Sequence, residues 1–157
     1  MSPEDKAKLD NFNLKNGSSI GSLRTTGSDS EDSSYTIGRY AFAEGQETEA
    51  SGIASHAEGY NTIAEGSFSH ANGNSTIAAG ESQTVIGKYN ISDENNEYSL
   101  IIGNGDTNTT RSNLLTIDWQ GNATLSGKII TSGEEPTEDN ELVSKRYVDE
   151  LVENTSS

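Results

Sequence analysis

A glycine stands at every seventh position through the middle of this chain: Gly38, Gly45, Gly52, Gly59, Gly66, Gly73, Gly80 and Gly87 share one register and make up half of its 16 glycines. Two residues before each is a small or β-branched side chain: Thr36, Ala43, Ala50, Ala57, Ala64, Ala71, Ala78 and Val85. Fixed-period self-similarity is the mark of a repeat architecture. Successive units alternate in character, so the full repeat is fourteen residues. One half reads Ser55-His56-Ala57-Glu58-Gly59 and then Ser69-His70-Ala71-Asn72-Gly73. The other reads Thr62-Ile63-Ala64-Glu65-Gly66 and then Thr76-Ile77-Ala78-Ala79-Gly80.

A period of seven invites a coiled-coil reading, which the residues refuse. Each glycine inside a helix would cost about 1 kcal/mol relative to alanine, and no apolar a/d seam is present. A five-residue strand followed by a two-residue turn fits better. Alternate side chains of a strand face opposite ways, so Ser/Thr, Ala and Gly share one face, and His, Ile or Phe share the other with Glu or Ser. Two small-residue faces can approach closely, which predicts a thin, flattened solenoid with two strands per coil. Glycine is expected at the corners, where it tolerates positive φ and leaves room for the neighbouring backbone. Coils stacked at about 4.8 Å place about four of them between Tyr35 and Ile91. Such a roll has almost no core of its own, so it is expected to lay its second face against other copies.

Composition supports a shared core. Only 30% of the 157 residues are hydrophobic, too few for an ordinary compact monomer of this length. The absence of cysteine excludes disulfides and thiolate zinc sites. A net charge of −15 argues against nucleic acid, which demands clustered Lys and Arg, and against anionic membranes. No apolar run is long enough for a membrane helix, and residues 1–12 lack a signal-peptide core. Export is therefore expected by lysis or with an assembled particle, unless the chain is cut from a longer protein.

The flanks read differently. Ser2, Pro3, Glu4 and Asp5 form a helix-start pattern for residues 1–12. Residues 13–34 read as an extended connector, and 35–91 as the repeat region. Residues 92–130 read as a β-rich module with a short strand at 98–102 and a hairpin around Gln120-Gly121-Asn122. Trp119 is its expected packing anchor. The segments 13–34 and 92–130 are the candidates to cap the open ends of the solenoid. Residues 131–157 read as a linker and a C-terminal helix, with Leu142, Val143, Tyr147, Val148, Leu151 and Val152 at three- and four-residue steps.

No motif supports catalysis or a cofactor, and the chain is read as non-enzymatic. Glu44, Glu58 and Glu65 recur in register and are expected to form a solvated stripe. His56 and His70 lie one repeat apart. Three copies around an axis would present rings of imidazoles able to hold a metal or an anion, but interface packing or solvent exposure is the preferred reading. Residues 93–97 carry oxygen ligands without the glycine of a calcium loop. Gly103-Asn104-Gly105 and the Gly87-Lys88 pair lack the spacing of a nucleotide fingerprint.

The Ser-x-Ala-x-Gly pattern on its fourteen-residue period resembles the YadA-like head repeats of trimeric autotransporter adhesins. The wording Ser55-His56-Ala57-Glu58-Gly59 with Thr62-Ile63-Ala64-Glu65-Gly66 is closer still to repeats in prophage tail-fibre and minor structural proteins of Gram-positive bacteria. The likeness covers residues 35–91. It departs from the adhesin pattern at His56, Glu58, His70 and Asn72, where Val and Ile usually stand. The resemblance implies a mainly β fold: a homotrimeric, left-handed parallel β-roll, then a small β module and a C-terminal helix or coiled coil. Residues 1–10 resemble a segment that links modules of phage fibres. Residues 140–149 resemble the end motif of tail-fibre domains, which implies that Leu142, Val143, Tyr147, Val148 and Leu151 clamp three C-termini together. The implied role is a rod in a phage or prophage tail fibre or baseplate appendage, made in the bacterial cytoplasm. Its partners would be itself, other tail proteins and a host-surface receptor. The rivals are a fragment of a bacterial surface adhesin and an accessory module of a tail-borne glycan-degrading enzyme.

Overall fold

The computed structural model describes residues 14–16, 23–25 and 37–129, together with 148 and 152. The described chain is mainly β, and its centre is a β-solenoid of about four turns. Strands β1 (Leu14–Asn16) and β2 (Leu23–Thr25) precede the coils. The coils supply β3 (Phe42–Gln46), β4 (His56–Tyr60), β5 (Ile63–Ala64), β6 (His70–Asn74), β7 (Ile77–Ala78) and β8 (Thr84–Lys88). Then come β9 (Tyr98–Asn104), β10 (Asn113–Asp118) and β11 (Ala123–Leu125). Nine of these strands form one sheet in the order β1-β2-β3-β4-β6-β8-β9-β10-β11, and β5 with β7 forms a second.

Like pairs with like along this ladder. Parallel register sets Phe42 against His56 and His56 against His70, Ala57 against Ala71, and Gly59 against Gly73. The two halves of a coil are unequal, however. The half beginning at a serine makes a five-residue strand, whereas the half beginning at a threonine makes only two strand residues. The expected alternation of equal five-residue strands is corrected accordingly.

The interior is one side chain deep. Ala43, Ala50, Ala57, Ala64, Ala71, Ala78, Val85 and Ile101 are buried, with Ser55, Ser69, Thr48, Thr62 and Thr76 between them. Alanine fills this column through the central coils, and Val85 and Ile101 replace it toward the β9 end. The hydroxyls are poorly served: Oγ1 of Thr48, Thr62 and Thr76 and Oγ of Ser69 are buried without a partner, while Ser55 Oγ donates to the Gly52 carbonyl at 2.9 Å.

The corners are not where the glycines are. Among the described residues, positive φ on side-chain-bearing residues falls at Tyr40, Glu47, Ala54 and onward in steps of seven to Asn96, and those from Tyr40 to Tyr89 lie two places after a glycine of the register. An L-residue there costs about 1–2 kcal/mol, and a ladder bond offsets this. Ala54 N–H donates to the Arg39 carbonyl, Asn61 to Gln46, Phe68 to Ile53 and Ser75 to Tyr60, each at 2.8 Å, so backbone pairing continues round the bend. The glycines leave room for the neighbouring backbone, as expected, and Gly45, Gly59, Gly73 and Gly87 also have positive φ. A Cβ on Gly52 or Gly66 would run into the carbonyl oxygen of the glycine on the next coil. Gly59 meets the same obstacle and also has φ +113°. It is solvent-exposed, so Ser, Ala and Gly do not all share the inner face in this half of the coil.

Both ends of the ladder are covered. At one end β2 pairs in parallel with β3 and in antiparallel with β1. At the other, β9 adds to β8 in parallel, setting Val85 against Ile101 and Gly87 against Gly103, then turns into the antiparallel β10–β11 hairpin. The sheet therefore runs without interruption past residue 91. Asp118 fixes the hairpin turn by accepting from the N–H groups of Gln120 and Asn122. Trp119 is 46% exposed and not a buried anchor; its Nε1 donates to the Asn96 carbonyl at the last corner. The chain divides into compact units at 1–126 and 127–157. In the second, Val148 and Val152 have helical backbone and are exposed. Leu142, Val143, Tyr147 and Leu151, and the expected helix at 1–12, lie outside the described residues.

Candidate functional site

The outer face of the long-strand sheet gathers the chemistry. In-register pairing stacks Phe42, His56, His70 and Thr84 in one row, and Glu44, Glu58, Asn72 and Ile86 in the next. These positions face outward because the alternate residues, Ala43, Ala57 and Ala71, are buried inside. The His56 ring lies flat on that of His70, with centroids 4.8 Å apart and planes 11° apart. Phe42 covers the other side of His56 at 5.2 Å. His56 is thus held between two rings by register alone.

Each imidazole points its Nε2 at a carboxylate one rung back. His56 Nε2 lies 3.7 Å from Glu44 Oε1, and His70 Nε2 lies 3.6 Å from Glu58 Oε1. Both distances exceed a hydrogen bond, and both Nε2 atoms are shielded from solvent without a hydrogen-bond partner. The Asn72 amide donates to Glu58 Oε1. That bond holds the Glu58 carboxyl below the usual glutamate value of 4.5, against the opposing effect of partial burial; Glu44 and the charges of His56 and His70 also lower it. Glu44, His56 and Glu58 each bring a ligand atom within 4.8 Å of the other two, a set able to hold a cation. Glu65 does not extend this stripe: it follows β5 on the other side of the coil. Sequence spacing put the two histidines on one face but did not show that Glu44 from the preceding rung completes a set with His56.

A second feature is an apolar edge. Tyr40 and Phe68, each 59% exposed, occupy corner positions of one column, with Ile53 beside them and Trp119 on the same column's last corner residue, Asn96. Tyr40, Ile53, Phe68 and Trp119 are all exposed, so these bodies stand clear of the interior.

The loop at 92–97 serves the cap. Asp93 is buried, and its Oδ2 accepts from Gln83 Nε2 and from the Tyr98 N–H, both at 2.8 Å. Arg111 closes another column by donating from Nη1 to the carbonyls of Ser75 and Asn90. A cleft of about 340 Å³ lies beside Asp93, Glu94 and Glu97. Among the described residues no helix is long and apolar enough to cross a membrane. Comparison of the chain with family models, curated proteins and solved structures finds no significant match.

Proposed function

We propose that the chain is a structural component of a phage or prophage tail fibre or baseplate appendage, built as a homotrimeric rod that spaces or presents a host-attachment surface. The observation that carries this reading is the mismatch between inside and outside. The interior of a coil holds two alanine methyls and two hydroxyl side chains, such as Ser55, Ala57, Thr62 and Ala64, while Tyr40, Ile53 and Phe68 stand exposed. Large apolar side chains outside and small ones inside are the arrangement expected when the main burial lies between copies. Each coil is read as one fourteen-residue unit of a left-handed roll, and Leu142, Val143, Tyr147, Val148 and Leu151 as the clamp joining three C-termini. The resemblance of the Ser-His-Ala-Glu-Gly wording to tail-fibre repeats supplies the biological setting.

Solution mass by light scattering on a sizing column tests the architecture. A species near three times 16.7 kDa that elutes early for its mass supports the rod; a folded monomer overturns it. Antibody labelling of virion tails tests the setting, and particles that carry no label would remove it.

A further inference from the structure

We propose that Glu44, His56 and Glu58 of a single chain form a binding site for a divalent transition-metal cation of the zinc class. The site needs no other copy of the chain and stands apart from the trimer reading.

Three observations converge on it. The first is the donor set: one imidazole nitrogen and two carboxylates, with one ligand atom of each within 4.8 Å of the others. Imidazole selects the transition metals over magnesium and calcium. Zinc bonds of about 2.1 Å place tetrahedral ligands about 3.4 Å apart. His56 Nε2 and Glu44 Oε1, at 3.7 Å, are already near that separation, and a Glu58 oxygen lies within 4.8 Å of both partners.

The second is the condition of the histidine. His56 Nε2 is shielded from water and accepts no hydrogen bond, although Glu44 Oε1 stands 3.7 Å away. Phe42 and His70 fix the ring plane from both sides. An imidazole held rigid with an unused nitrogen loses little freedom on meeting a cation.

The third is the register itself. Parallel pairing sets Glu44 directly against Glu58. Like charges opposite one another on neighbouring strands destabilise a sheet, and a cation between them reverses the sign. One rung on, the same position is Asn72, so that pair carries no like-charge repulsion and the amide donates to Glu58. Asn72 also orients the Glu58 carboxylate, the part an outer hydrogen-bonding partner plays at a metal site. The next rung, with His70, Glu58 and Asn72, lacks a second carboxylate of its own, so one ion per chain is expected.

Equilibrium dialysis of the full chain against zinc chloride at neutral pH, with the retained metal quantified, decides the matter. The wild type is expected to hold one zinc per chain. Glu44→Gln and His56→Gln are each expected to weaken binding by tenfold or more, and Asn72→Ala by about tenfold, while Glu65→Gln, on the other side of the coil, leaves it unchanged. Glu44 lies at a partly exposed position where Gln fits the same space, and circular dichroism of each variant verifies the fold. Zinc retention no greater in the wild type than in Glu44→Gln overturns the site, as does equal loss in Glu65→Gln.

Discussion

The side-chain amide of Asn90 pairs with both backbone groups of Ile77: its Oδ1 accepts from the Ile77 N–H at 2.8 Å and its Nδ2 donates to the Ile77 carbonyl at 2.9 Å. Asn90 therefore stands in for the strand that β7 would otherwise need on its open side. Asn90→Ala leaves a donor and an acceptor unpaired and is expected to destabilise the chain by about 2 kcal/mol. Asn90→Asp keeps the acceptor but loses the donor, and should fall between. Urea unfolding midpoints measure both; an alanine variant within error of wild type would mean that water caps β7 equally well.

Gly59 and Gly121 both have positive φ, +113° and +88°, but only Gly59 faces a neighbouring carbonyl; Gly121 has open space. Gly121→Ala is expected to cost about 1–2 kcal/mol, the strain of the backbone region alone. Gly59→Ala adds a collision with the Gly73 backbone and is expected to exceed about 3 kcal/mol. Equal thermal shifts in the two variants would refute the close-approach account of the glycine register.

The Thr62 hydroxyl is fully buried and has no partner. Thr62→Val removes that unpaired group and keeps the shape, so it should leave stability unchanged or raise it by about 1 kcal/mol. Calorimetry reads this directly, and a clear fall in Tm would reveal a hydrogen bond to the hydroxyl.

Glu58 is held below its ordinary value of 4.5, chiefly by Asn72. A depressed folded pKa contributes stability that is present above the unfolded value. That contribution begins to fade as pH falls past about 4.5 and is gone below the folded value. Glu44, His56 and His70 face the same carboxylate, so the comparison must isolate one group. In Tm against pH, Glu58→Gln should lose less between pH 5 and 3 than wild type does (about two pH units around the usual carboxylate range). Parallel curves would show that Glu58 contributes nothing to acid sensitivity.

The sequence made the stacking axis readable because register repeats identity: glycine on glycine, alanine on alanine. It also marked the Gln120-Gly121-Asn122 turn. The corners were hidden because a left-handed position that faces solvent accepts Tyr, Glu, Ala, Asn, Phe or Ser, leaving no residue signature. The continuation into β9 was hidden by a two-residue lengthening of the last coil, which moved Gly103 out of the seven-residue register. The caps made by Asn90, Asp93 and Arg111 occur once each, and periodicity is blind to what occurs once. The Glu44–His56–Glu58 grouping required knowing which rungs are adjacent.

Because β3, β4, β6 and β8 meet through the same backbone contacts at every step, a duplicated coil finds a matching seat above and below it. Unequal recombination within the gene would then lengthen or shorten the molecule in increments of about 4.8 Å without redesigning either end. Reach becomes a quantity that selection can tune by copy number.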